Sequence, residues 1–243
     1  MEIRIESLID GARRASGAVV VIDVFRAYTT AAVAFSKGAA EIVLVAQPPE
    51  ALALRAAGLV DLCMGEVGGK KPEGFDYGNS PFELSQLPDE DLRGKKLVQS
   101  TRAGTVGACA VAPGVDLFAG ALVIARATTE ALKDLGAPLT TLVAMGAGGV
   151  VRGDEDELCA LYMRSLLEGR EGGDHGEAAI ATLARRGHDG VRFGSPEEPW
   201  MHVEDMDIAL DVDRFDFAIR VTREGELLVA RPHPPIAVPG KPD

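Results

Sequence analysis

Residues 18–23 form a short apolar run, AVVVI, that ends on Asp23. An unbroken β-branched run of this length predicts a strand buried on both faces. A helix is expected over 27–37, closed by Gly38, then a strand over 41–46 and a helix over 49–57 closed by Gly58. A short strand at 61–64 runs into Gly65-Glu66. Over 65–79 the apolar period disappears, and glycine stands at 65, 68, 69, 74 and 78, which predicts a long loop of the kind that is usually functional or disordered. Ser80-Pro81-Phe82-Glu83 then reads as a helix start, with Ser80 as N-cap, Pro81 at the first helical position and Glu83 completing a capping box.

Further strands are expected at 96–99, 115–119 and 139–145, with helices after Thr105, over 121–135, and from the acidic run Asp154-Glu155-Asp156-Glu157 to about Leu167. The segment 170–205 is polar and gives no firm elements. Residues 215–221 and 227–230 flank Arg223-Glu224-Gly225-Glu226 and predict a terminal β-hairpin, followed by a loosely held Pro-rich tail, 232–243. Alternating strands and helices point to an α/β fold with three α/β/α layers, a mixed sheet and a C-terminal hairpin, in a single domain over 1–243 or two closely packed lobes.

Four strand-to-loop junctions carry polar residues: Asp23, Glu66, Ser100 to Thr105, and Gly146 to Glu157. Open α/β sheets bind ligands at the carboxyl ends of their strands, so these junctions are the expected site.

Composition narrows the chemistry. The net charge is -12, and no basic stripe suited to nucleic acid is present. No apolar run reaches the ~18 residues a membrane helix needs, and the N-terminus has no secretory core, so no membrane partner is expected. Cys63, Cys109 and Cys159 are widely spaced in apolar contexts, which predicts reduced thiols and a cytoplasmic location. An acidic chain that binds an anion must present local arginines, backbone N–H groups or a metal ion.

Several familiar phosphate chemistries fail on spacing. Gly69-Lys70 is followed by Lys71, which breaks a Walker loop, and Val151 breaks a G-x-G-x-x-G pattern after Gly146 and Gly148. No cysteine has arginine six positions later, and Arg186-Gly-His188 is not the Arg-His-Gly of histidine phosphatases. His175, His188, His202 and His233 show no zinc spacing. An aspartyl-phosphate enzyme would carry a second Asp at position 25, where this chain has Phe25.

Phosphoester hydrolysis needs charge neutralisation, positioning and an oriented water. Mg²⁺ is commonly held by one or two carboxylates, and Asp23, Glu66, Glu155 and Asp156 offer them. The bland alternatives are helix-start acids for 154–157, an N-cap for Asp23 and an exposed loop acid for Glu66. Asn79-Ser80 and the Ser100-Thr101-Arg102-x-Gly104-Thr105 loop supply hydroxyls and helix-start N–H groups to an oxyanion, or simply cap their helices. Arg26 and Arg102 are the arginines at strand ends. Arg26 is expected at the phosphate or carboxylate, and Arg102 at a second anionic end.

These residues in this order resemble one family. Asp23-Val-Phe-Arg26-Ala27 with Thr29-Thr30, then Gly65-Glu66, Gly74-Phe75-x-x-Gly78-Asn79-Ser80-Pro81, Ser100-Thr101-x-x-Gly104-Thr105 and Glu155-Asp156-Glu157 resemble the 2-phosphosulfolactate phosphatase (ComB) family over about 1–165. One departure is Ala103, where the family's loop commonly carries Asn before its glycine. The resemblance implies a three-layer α/β fold, Mg²⁺ as cofactor, and conversion of 2-phosphosulfolactate to sulfolactate and phosphate, a step of coenzyme M biosynthesis. A different phosphorylated hydroxy-acid, or non-catalytic binding of anionic metabolites, are the competing expectations, and the sequence allows a homodimer.

Overall fold

The fold is taken from a computed structural model that describes residues 1–170, 173–188 and 190–234, the side chains of 173–175 excepted. In chain order it contains β1 (Glu2–Ser7), α1 (Leu8–Arg14), β2 (Ala18–Ile22), α2 (Ala27–Ser36), β3 (Glu41–Val45), α3 (Pro48–Ala56) and β4 (Leu62–Gly65). Then come α4 (Pro81–Gln86), α5 (Asp89–Leu92), β5 (Lys96–Ser100), α6 (Gly104–Ala110), β6 (Asp116–Gly120), α7 (Ala125–Leu135) and β7 (Leu139–Ala144). The chain continues through α8 (Asp154–Leu167), α9 (Gly173–Arg186), α10 (Val203–Ala209), β8 (Ala218–Glu224) and β9 (Leu227–His233).

The strands make one nine-stranded sheet in the order β1-β7-β2-β6-β8-β9-β3-β5-β4. The first four are mutually parallel, as are the last three. The β8–β9 hairpin joins the two blocks through antiparallel pairings on both sides. Three successive antiparallel steps set the blocks in opposite senses, which in a flat sheet would put their carboxyl ends at opposite edges.

Twist resolves this. Neighbouring strands rotate by about 20–25°, so the five steps from β2 to β5 accumulate roughly 100° or more. α2 is buried from Ala27 to Phe35 and shares a core with both blocks. A single apolar cluster holds Val19 and Val21 of β2, Leu97 of β5 and α2 residues between them. Two direct contacts mark the convergence: Gly104 N–H donates to Asp23 Oδ2 at 2.7 Å, and Gln99 Nε2 donates to the Ala27 carbonyl at 2.8 Å. On the outer face α7, α8 and α10 pack on the first block, and α3 packs on the second.

Some boundaries differ from the sequence reading. The alternating segment Glu2-Ile-Arg-Ile-Glu-Ser7 is an edge strand, paired in register with β7. Ser80 caps α4 as expected, its hydroxyl accepting the Glu83 N–H at 3.0 Å. The capping box stays half-formed, because the Glu83 carboxylate faces His202 Nε2 at 3.1 Å. Pro232 and His233, expected in a loose tail, continue β9 opposite Ile219 and Ala218; residues 235–243 lie outside the described residues. The segment 170–205 holds α9 and the start of α10, with a 3-10 turn at Gly190–Arg192.

Candidate active site

The carboxyl ends of β2, β4, β5 and β7 open into one cavity of about 340 Å³. Asp23, Arg26, Glu66, Asn79, Thr101, Arg102, Glu155 and Asp156, all singled out from the sequence, line it. So do Arg192, Phe193 and Met201, which sequence reasoning missed. Ser80, Ser100, Gly104 and Thr105 stand behind the wall as supports.

Each of three acids ties two backbone segments together. Asp23 Oδ1 accepts the Ala27 N–H at 3.1 Å and Oδ2 the Gly104 N–H at 2.7 Å. Asp156 Oδ1 accepts Val24 N–H at 2.7 Å and Oδ2 accepts Gly146 N–H at 2.8 Å. Glu66 Oε2 accepts Gly69 N–H at 2.7 Å and Oε1 accepts Arg102 N–H at 2.8 Å. Each carboxylate oxygen has a second lone pair, so these bonds aim the acids without exhausting them. Asp23 thus holds the first N–H of α2 without being its N-cap, a position taken by Arg26.

Small residues let these segments approach. Gly65 has φ of 151°, and a Cβ there would lie 2.0 Å from the Ser100 carbonyl oxygen. A Cβ on Gly104 would come within 2.9 Å of Asp23 Oδ2. The Ser100 carbonyl in turn accepts the Glu66 N–H at 3.0 Å. Thr101 and Thr105 cap α6 reciprocally, the Thr101 N–H donating to Thr105 Oγ1 at 2.8 Å and the Thr105 N–H to Thr101 Oγ1 at 3.2 Å. Asn79 is buried beside Gln99, whose Nε2 lies 3.5 Å from Asn79 Oδ1.

Arg26 is only 4% exposed, and the peptide that precedes it is cis. Its Nη1 donates to Asp205 Oδ2 at 2.5 Å and to the Trp200 carbonyl at 2.9 Å; its Nη2 donates to the Gly69 carbonyl at 3.3 Å. Arg102 is exposed at the rim. Arg192 meets Glu198 through two bonds of 2.9 and 2.6 Å, which hold the Glu198 carboxyl below its usual pKa. Phe25 packs edge-on against Phe193, with centroids 5.0 Å apart.

Burial pushes the Asp23 carboxyl up to about 6, against the two N–H bonds that lower it and with the charge of Glu66 adding to the rise. Asp156 is pushed well up by burial first, then by the charges of Glu155 and Asp23. Glu155 is itself buried against the cavity. Crowded carboxylates in a low-dielectric wall are what a hard divalent cation relieves, and the all-oxygen donor set suits Mg²⁺. Among the described residues no three His, Cys, Asp or Glu side chains make a ready cage. Mg²⁺ commonly takes one or two carboxylates and fills its shell with water and substrate phosphate.

Fold and cavity together define an α/β protein with a carboxylate-lined cleft at the carboxyl ends of its strands. More narrowly, the chain belongs to the 2-phosphosulpholactate phosphatase family, whose model matches residues 3–213. A probable 2-phosphosulfolactate phosphatase of Bacillus subtilis is 31% identical over 86% of this chain and 88% of its own length. One from Deinococcus radiodurans is 33% identical over 77% of this chain and 85% of its own. One from Carboxydothermus hydrogenoformans is 40% identical over 49% of this chain and 48% of its own. The family match reaches past 1–165 and takes in Arg192 and the whole of α10.

Proposed function

We propose that this chain is a Mg²⁺-dependent phosphatase that hydrolyses 2-phosphosulfolactate to sulfolactate and phosphate. The convergence of Asp23, Glu66, Glu155 and Asp156 with Arg26 in one cleft carries the reading, within a family whose relatives bear that activity in their names. Glu155 and Asp156, with Asp23 beside them, are the residues that would hold Mg²⁺. Bound there, the ion would neutralise phosphoryl charge and help orient the ester.

The chain's own groups do the rest. Arg26, with N–H donors left over from its three bonds, takes a phosphate oxygen. Arg102 at the rim takes the second anionic end, the sulfonate or carboxylate. Glu66, fixed by the Gly69 and Arg102 N–H groups, orients the attacking water and accepts its proton. Water adds its oxygen to phosphorus as the bond to the substrate's 2-oxygen breaks, and one water proton ends on the sulfolactate hydroxyl. Phe25 at the position of a second aspartate favours this direct attack over an aspartyl-phosphate intermediate.

No apolar helix long enough to cross a membrane exists among the described residues; we infer a cytoplasmic enzyme acting on a small phosphate ester, with no nucleic-acid partner. Phosphate release from a panel of small phosphorylated hydroxy-acids, with and without Mg²⁺, tests the reading. Preference for a different ester would keep the phosphatase and move its substrate, and no release from any ester would leave a binder of anionic metabolites.

A further inference from the structure

Asp205 lies on α10, 179 positions from Arg26 in sequence, and is fully buried at the back of the cavity wall. Its two oxygens do different work. Oδ1 accepts the Ser80 hydroxyl at 2.6 Å and the Phe82 N–H at 3.0 Å, which fastens the start of α4. Oδ2 accepts Arg26 Nη1 at 2.5 Å. The Trp200 carbonyl, five residues before Asp205, holds the same Nη1 at 2.9 Å. α10 and the turn before it thus grip one end of the Arg26 guanidinium, while Arg26 lines the cleft and keeps N–H donors that none of these contacts uses.

A buried ion pair of this kind adds little net stability over a well-packed apolar pair, and its best-attested use is to fix a geometry. Arginine recognises oxyanions by direction as well as charge, so a guanidinium clamped from behind offers its free edge in one orientation. We propose that Asp205 is a positioning residue that orients Arg26 for the phosphate group of the substrate. This rests on the phosphate-binding role given to Arg26 above.

Asp205→Asn separates the two tasks of the side chain. The amide oxygen can keep the Ser80 and Phe82 contacts, while its NH₂ replaces the acceptor facing Arg26. The test is a double-mutant cycle on inorganic phosphate binding, measured by titration calorimetry with Mg²⁺ present, in wild type, Asp205→Asn, Arg26→Ala and the double variant. Asp205→Asn should weaken phosphate binding by about one decade, the loss of one charge-assisted hydrogen bond. It should weaken binding no further in the Arg26→Ala background. Asp207→Asn, on an exposed acid of α10 paired with Arg185, should leave binding unchanged.

In turnover, Asp205→Asn should lower kcat as well as raise KM, because a misaimed donor costs most in the transition state. Arg26→Lys keeps the charge but cannot make the same fork of bonds, and should show the same loss of phosphate affinity should Asp205→Asn fail to fold. Equal losses from Asp205→Asn in both backgrounds overturn the proposal, as does undiminished binding in a folded Asp205→Asn, undiminished binding in Arg26→Lys where Asp205→Asn does not fold, or absence of phosphate binding in the wild type. A wild type that binds phosphate and obeys the cycle but hydrolyses no ester keeps Asp205 in this role and removes the phosphatase reading instead.

Discussion

Asp156 and Val24 are 132 positions apart in sequence, yet Asp156 Oδ1 accepts the Val24 N–H at 2.7 Å. Through this bond, and the one from Gly146 N–H to Oδ2, the acid at the start of α8 closes the cleft between the β2 and β7 loops. Asp156→Asn retains only one acceptor for these two donors. The lost bond costs about 1–3 kcal/mol, offset by relief of the repulsion from Glu155 and Asp23. The variant is therefore expected to fold with a small change in Tm, while kcat falls by about 10²-fold or more. Circular dichroism and steady-state phosphate release check the pair of outcomes; a wild-type kcat would return 154–157 to the status of helix-start acids.

Glu66 holds Gly69 and Arg102 through separate oxygens. Glu66→Gln removes one of those acceptors and the proton-accepting charge together. Its kcat should fall by about 10²–10⁴-fold, the usual worth of a general base, with KM moving far less. A KM effect alone would make Glu66 a loop fastener.

Much of this arrangement is legible in the sequence. The β-branched run of β2, the glycine-punctuated loop after β4 and the Ser80 cap of α4 all follow from local pattern, and the strand-end rule gathered Asp23, Glu66, Thr101, Arg102 and Asp156 at one cleft. What stayed hidden depends on long-range packing. Asp205 and Arg192 sit in a polar stretch with no motif, and their partners lie up to 179 positions away or in a neighbouring loop. β1 was missed although Glu2-Ile-Arg-Ile-Glu alternates cleanly, since an edge strand of six residues carries little apolar weight. The strand order cannot be read from any single element, because it depends on the hairpin inserted between two parallel blocks.

Arg102 is exposed at the rim, and its side chain makes none of the hydrogen bonds or ion pairs described for the cleft, where only its N–H is engaged. Arg102→Ala should raise KM for 2-phosphosulfolactate by about one to two decades with a modest change in kcat, as expected for an interaction made equally in ground and transition states. Arg26→Ala, nearer the transferring group, should lower kcat as well. An unchanged KM in Arg102→Ala would remove that arginine from substrate binding.

Asp23 is held on both oxygens by the N–H groups of Ala27 and Gly104, and residue 25 is Phe. No phosphorylated Asp23 should accumulate with substrate, and trifluoroberyllate should not form an adduct on it. Mass spectrometry after rapid quenching reads this directly, and a phosphate found on Asp23 would replace direct water attack with a two-step mechanism.

Phosphate release from 2-phosphosulfolactate by the purified chain, first stripped with a chelator and then supplied with Mg²⁺, tests metal and activity together. Turnover should cease after chelation and recover on adding Mg²⁺, with sulfolactate formed in equal amount to phosphate. Full turnover in the stripped protein would contradict the metal assignment of Glu155 and Asp156, and no turnover with Mg²⁺ present would contradict the proposed activity itself.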